Sequence, residues 1–133
     1  MVWLLGVGAN VAYPFGHSPD WDLIAELDGH LHRVQVKTST CFRLNRWAVQ
    51  LATRGGNQSW NGTVKRIDGT RCDDLFVLVG DGRQWFIPVS ALGGGAGILL
   101  GGPKYARFEV AGGAPLQSRE PRGDVRVVKG VAL

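Results

Sequence analysis

The sequence of 133 residues predicts a strand-rich α/β domain with few helices. Three observations predict it. Asp28-Gly29 separates two strand-like runs, residues 23–27 and 31–36. Gly80-Asp81-Gly82 separates two more, residues 75–79 and 84–88. The chain also carries 20 glycines, which suit turns and short strands better than a helical bundle. This length suits one domain. Hydrophobic residues make up 44% of it, enough to bury a core.

The elements follow in order. Residues 2–8 read as a helix end stopped by Gly6 and Gly8, and residues 10–13 as a short strand. Gly6-Val7-Gly8 lacks the third glycine of a dinucleotide fingerprint. Residues 14–19 form a loop that delivers the chain to Asp22. Residues 38–40 continue the strand after the first hairpin, and residues 47–52 read as a strand or a short helix. Residues 54–57 (Arg-Gly-Gly-Asn) form a turn cluster. Residues 89–92 read as a helical turn. The glycine-rich residues 93–97 lack the GK[ST] ending of a phosphate-binding loop and read as a plain loop. Residues 98–100 and 107–110 are short strand candidates. From residue 111 the chain is rich in Gly, Pro and charge, and residues 111–133 read as an extension.

The first hairpin carries the candidate chemistry. Asp28-Gly29 suits a type I′ turn, because glycine tolerates positive φ. A symmetric turn places Leu27 opposite His30. Continued outward, it places Asp22 opposite Gln35 and Asp20 opposite Lys37, with Cβ atoms roughly 5 Å apart. The pleat puts Gln35 and Lys37 on one face and Val34 and Val36 on the other. A carboxylate and an amide oxygen can hold a hard divalent cation such as Mg²⁺, with room for water and a phosphate oxygen. A neighbouring Lys can stabilise charge on that phosphate or help deprotonate a water. The competing reading is a solvent-facing hairpin with a weak Asp–Lys pair.

These residues resemble the PD-(D/E)xK nuclease signature. Asp22 matches its first Asp, and Gln35-Val36-Lys37 matches its second half with Gln in place of the acid. Pro19-Asp20 supplies a literal "PD", but Asp22 sits directly ahead of the strand. The phrases Arg33-Val34-Gln35-Val36-Lys37-Thr38-Ser39, Cys72-Asp73-Asp74-Leu75-Phe76-Val77 and Trp85-Phe86-Ile87-Pro88 resemble the bacterial group I intron-associated, homing-type branch. The resemblance spans roughly residues 10–110. It implies a restriction-endonuclease-like α/β core: a central mixed β-sheet with a catalytic hairpin and few flanking helices. Residues 1–110 would be the nuclease domain, with its N-terminal helix truncated. That helix normally carries a Glu at the metal site, and no acid precedes Asp20 here.

The implied activity is Mg²⁺-dependent hydrolysis of double-stranded DNA, with Mn²⁺ a substitute metal. Asp22, Gln35 and the Val36 carbonyl would ligate the metal, and Asp22, Gln35 and Lys37 would be the catalytic set. The substitution of Gln for an acid lowers the site's negative charge and weakens metal affinity. A homodimer or homotetramer would place two sites across the two strands. The implied location is the bacterial cytoplasm, at the nucleoid. Three alternatives stay open: a junction-resolving nuclease of the same fold, a catalytically impaired DNA-binding module, and a small β-rich interaction domain.

Charge supports a polyanionic partner. The formal net charge is +4. Arg43, Arg46, Arg54, Lys65, Arg66 and Arg71 lie between Cys41 and Cys72, with Asp68 the only acid there. Arg43, Arg46, Trp47, Trp60, Lys65, Arg66 and Arg71 are candidate DNA contacts; a solvated connecting segment is the bland alternative. Ser18 is a further candidate for a phosphate or a metal-bound water, or else a loop cap. Cys41 and Cys72 lack zinc-site spacing and read as reduced thiols. His17, His30 and His32 read as surface or half-buried residues rather than metal ligands. No apolar run approaches about 18 residues, so no membrane span is expected. Residues 2–12 lack a basic leader and a cleavage site, so a signal peptide is not expected.

Overall fold

A computed structural model of the chain describes residues 2–16, 20–54, 64, 65 and 67–111. A short helix α1 (Val2–Gly6) precedes eleven strands among these residues. They are β1 (Asn10–Ala12), β2 (Leu23–Leu27), β3 (His30–Ser39), β4 (Phe42–Arg43), β5 (Arg46–Gln50), β6 (Thr53–Arg54), β7 (Val64–Lys65), β8 (Asp74–Val79), β9 (Gln84–Pro88), β10 (Gly97–Leu100) and β11 (Glu109–Val110). Six of them form the main sheet, in the order β1-β2-β3-β8-β9-β11. Its pairings are antiparallel except β3 with β8, which run parallel. This is the mixed central sheet with few helices that the resemblance implies. A second sheet has the order β10-β5-β4, and β6 pairs with β7 alone.

The pleat of the main sheet sorts its side chains between two cores. On one face Leu23, Ala25, Val34 and Phe76 pack with Leu4 of α1 and with Ala9. Trp3 lies over this face, with ring centroids 6.0 Å from Phe76 and 5.3 Å from Phe86. On the other face Leu75, Val77, Val79, Trp85 and Ile87 pack against the second sheet through Val49 and Leu100, and against Leu51 and Tyr105. Gln35, Lys37 and Ser39 belong to this second face, because they pair with Leu75, Val77 and Val79.

Local chemistry explains the element ends. Gly8 has φ of +88°. The Gly8 N–H donates to the Leu5 carbonyl and the Ala9 N–H to the Leu4 carbonyl, which closes α1 with a Schellman pattern. Asp28 and Gly29 both adopt positive φ, 50° and 79°, and Leu27 pairs with His30 as expected. Of residues 47–52, residues 47–50 resolve as strand, within β5, because β5 pairs with β4 on one side and β10 on the other.

One segment departs from expectation. Residues 107–110 read as a strand in sequence, but Pro103–Phe108 is a 3₁₀ helix and only Glu109–Val110 pairs. Gly101 with φ of +106° and Pro103 at the helix start turn the chain, and burial of Tyr105 in the core holds the helical segment down. The residues of the extension from 112 onward lie outside the described residues. Among the described residues, no helix is long and apolar enough to cross a membrane.

Candidate active site

The geometry of the site follows from a mismatch in strand length. β3 runs on to Ser39, whereas β2 begins only at Leu23, opposite Val34. Residues 35–39 of β3 therefore have β8 on one side and no ladder from β2 on the other. Asp22 fills the gap. Its N–H donates to the Val34 carbonyl at 2.9 Å, and its Oδ2 accepts the Val36 N–H at 2.7 Å. The carboxylate thus takes the place of a backbone acceptor at the open edge. In a strand, the N–H and C=O of one residue point to the same edge. The Val36 carbonyl accordingly faces the side on which Asp22 sits.

This corrects the extrapolated hairpin register. Asp22 and Leu23 share Val34 as a partner, a bulge-like arrangement, so Asp22 does not stand directly opposite Gln35. Asp20 is not opposite Lys37 either: its Oδ2 lies 4.0 Å from Arg71 Nε. Asp22 is exposed, and Gln35 and Lys37 are half-buried. Lys37 enters no ion pair among the described residues.

A second set of contacts braces this face. Arg33 lies two residues before Gln35 and shares its side of the strand. Its Nη2 donates to Asp73 Oδ1 at 3.0 Å, and its Nε and backbone N–H donate to Asp73 Oδ2 at 3.1 and 2.8 Å. Its guanidinium also reaches the carbonyls of Gly69 and Thr70. These bonds tie the 69–73 loop to β3. Hydrogen bonding to Arg33 holds the Asp73 carboxyl below its ordinary range and raises the guanidinium further. Bonds from Thr70 likewise lower Asp68. Arg71 Nε lies 3.7 Å from Asp68 Oδ2, and Arg71 Nη1 is buried with no hydrogen-bond partner among the described residues. Sequence reasoning missed Arg33 and Asp73; the parity of Arg33 with Gln35 was the available signal.

His32 lies on the opposite face, where its Nδ1 is 2.6 Å from Asp74 Oδ2. Burial pushes the Asp74 carboxyl up despite this bond. Cys72 is buried, which raises its thiol to about 11, and Cys41 is exposed; both are free. Among the described residues, no group of three His, Cys, Asp or Glu side chains is placed to hold an ion. The donor set at Asp22 is one carboxylate on the edge to which the Val36 carbonyl points, a pairing of hard oxygens that a divalent cation can take with water and substrate phosphate completing its shell.

The candidate DNA contacts fall in several places. Arg71 stands beside the site through Asp20. Arg43 and Arg46 pair across the β4–β5 hairpin, and Arg43 shares a groove of about 770 Å³ with Lys104 and Gln50. Trp47 is half-buried; its ring packs on Phe42, centroids 4.9 Å apart, and lies against Gly80. Lys65 lies in β7, paired with Thr53. Ser18, Trp60 and Arg66 lie outside the described residues.

The mixed sheet thus carries a carboxylate hooked onto an open strand edge, and comparison with known proteins supplies the family. Residues 1–96 match the family model described as PD-(D/E)XK endonuclease, so the chain belongs to that family and is a nuclease. Enzymes of this family generally use divalent metals and act on DNA. No curated protein matches the chain. Among solved structures it is similar to the bacterial homing endonuclease I-Ssp6803I, with 22% identity and a TM-score of 0.63 over 98% of this chain and 86% of the other. At that identity the likeness is one of fold.

Proposed function

We propose that this nuclease is a Mg²⁺-dependent, homing-type endonuclease that hydrolyses phosphodiester bonds of double-stranded DNA. The carrying observation is the bond from the Val36 N–H to Asp22, which holds the carboxylate at the edge where the Val36 carbonyl emerges, beside Gln35 and Lys37. Asp22, Gln35 and the Val36 carbonyl would hold the cation. A bound divalent ion supplies charge neutralisation at the phosphate and a more acidic water. Lys37, with no carboxylate partner among the described residues, is available to a phosphate oxygen or the attacking water. The Arg33–Asp73 bonds keep β3 and the 69–73 loop in fixed relation, so these groups are preorganised. The homing type is favoured by the fold likeness to a bacterial homing endonuclease. A symmetric dimer or tetramer in the bacterial cytoplasm would present two such sites to the two strands of one duplex.

The test is cleavage of a supercoiled plasmid pool with and without Mg²⁺ by wild type, Asp22→Ala and Lys37→Ala. Discrete cutting that needs Mg²⁺ and is lost in both variants is the expected result. Normal cutting by Lys37→Ala would sink the assignment. DNA binding without cutting under any metal would make the chain a binding module.

A further inference from the structure

The β4–β5 hairpin carries a feature that the catalytic site does not use. Its two-residue loop is Leu44-Asn45, and both residues have positive φ, 52° and 59°. Asparagine tolerates that conformation, whereas leucine does so rarely. Leu44 is nevertheless 81% exposed, and its neighbour Phe42 is 55% exposed. Within this chain the Leu44 side chain therefore gains almost nothing from its position.

The mount beneath this tip is rigid. Ala48 N–H donates to the Cys41 carbonyl at 2.8 Å, and the Ser39 hydroxyl donates to the Ala48 carbonyl. Trp47 fills the space under Gly80, where an added Cβ would meet its ring at 3.0 Å. Arg46 Nη1 donates to the Asn45 carbonyl at 2.8 Å and steadies the turn. The stretch of chain that carries the tip is basic, and Arg43 and Arg46 face each other across the hairpin itself. From residue 29 to residue 67 the chain holds no acid, while Arg33, Lys37, Arg43, Arg46, Arg54, Lys65 and Arg66 all lie there.

We infer that this hairpin enters the major groove of the DNA substrate, with Leu44 making an apolar base contact and Arg43 engaging the flanking backbone. The inference rests on the nuclease reading and adds a specificity-determining residue to it. A two-stranded β-ribbon fits the major groove, and thymine presents there a methyl group that an apolar side chain can read. The reach fits as well. Leu44 lies seven positions after Lys37, at most about 25 Å of chain, less than one helical turn of DNA. Leu44 thus reads bases within a turn of the phosphate held at Lys37. A second copy of this chain is a poorer occupant, because a two-fold contact would bring Arg43 and Arg46 against their own counterparts.

The test uses the full chain, Ca²⁺ in place of Mg²⁺, and a pool of short genomic duplexes enriched on the wild type, amplified with dTTP or with dUTP. Leu44→Gly keeps the turn, because glycine accepts positive φ. It is expected to weaken binding to the thymine pool about tenfold while leaving the salt dependence unchanged. Uracil, which lacks the methyl, should weaken wild type similarly and leave Leu44→Gly unaffected. Wild-type affinity in Leu44→Gly, or indifference of wild type to uracil, overturns the inference. So does a variant whose only change is its oligomeric state, measured by sedimentation. Lys37→Ala separates the two readings: Lys37-dependent cutting by wild type together with unchanged binding by Leu44→Gly sinks the groove contact alone, whereas absence of both binding and cutting in wild type sinks the nuclease reading itself.

Discussion

Two hairpins follow each other along this chain, and they make the same backbone turn from different chemistry. In the β2–β3 hairpin, Asp28-Gly29 takes φ of 50° and 79°; in the β4–β5 hairpin, Leu44-Asn45 takes 52° and 59°. The first pair prefers this conformation in isolation, so the turn is local in origin. The second contains a leucine that opposes it. There the turn is imposed by what lies underneath: the Trp47 ring against Gly80, the Phe42–Trp47 contact and pairing of β5 with β10. A strained residue at an exposed tip is tolerated only where surrounding structure over-determines it. The first hairpin also carries the candidate chemistry, and the second projects a side chain outward. On the functions proposed above, the comparison sets turnover against recognition.

The sharpest break in that comparison is chemical. Lys37→Ala should lower cleavage about a thousandfold or more while leaving DNA binding and thermal stability close to wild type, as checked by plasmid nicking, anisotropy and calorimetry. Leu44→Gly should do the opposite, with weaker binding and intact chemistry once DNA is saturating.

Removing the brace of the second hairpin comes next. Gly80→Ala places a methyl group 3.0 Å from the Trp47 ring and should cost about 1–3 kcal/mol in urea unfolding, with DNA affinity falling as the tip loses its mount. In the first hairpin, Gly29→Val forces a β-branched residue to φ of 79° and should cost about 1–2 kcal/mol. Leu44→Gly reverses the sign, because it removes strain without removing burial. Its stability should rise by a few tenths of a kcal/mol to about 1, measured in the same unfolding series.

The smallest effect concerns the Arg33–Asp73 bonds behind the first hairpin. The Asp73 carboxyl is lowered in the folded chain, so the stabilisation exists above the unfolded value of about 3.9 and is lost as pH falls through the folded value. Asp73→Asn should therefore be less stable than wild type at pH 7, and the difference should shrink progressively below about pH 4. A difference that stays constant between pH 7 and pH 3 would show that Asp73 acts without its charge.

Much of the architecture was legible before folding. Asp28-Gly29 and Gly80-Asp81-Gly82 announced both hairpins of the main sheet, and alternation along residues 33–37 separated the apolar face from Gln35 and Lys37. The motif made by the acid, the amide and the ammonium was readable, and the family it resembles is the one whose model matches residues 1–96. Their exact register was not readable, because extrapolating a ladder assumes that backbone pairing continues. Here a side-chain oxygen of Asp22 replaces it at Val36.

The sequence by itself determined the features that depend on neighbours along the chain: turns that glycine permits, the α1 stop at Gly8, strand periodicity and an acid-free basic segment. Tertiary structure alone decided the rest. It placed the Asp22 carboxylate on an open strand edge, locked Arg33 to Asp73 forty residues away, folded residues 103–108 into a 3₁₀ helix over a buried Tyr105, and held Leu44 in a conformation its own side chain disfavours. The physical reason is common to all four. Each arrangement opposes or ignores a local preference and is stable only because a partner distant in sequence supplies the hydrogen bond or the packing that offsets it.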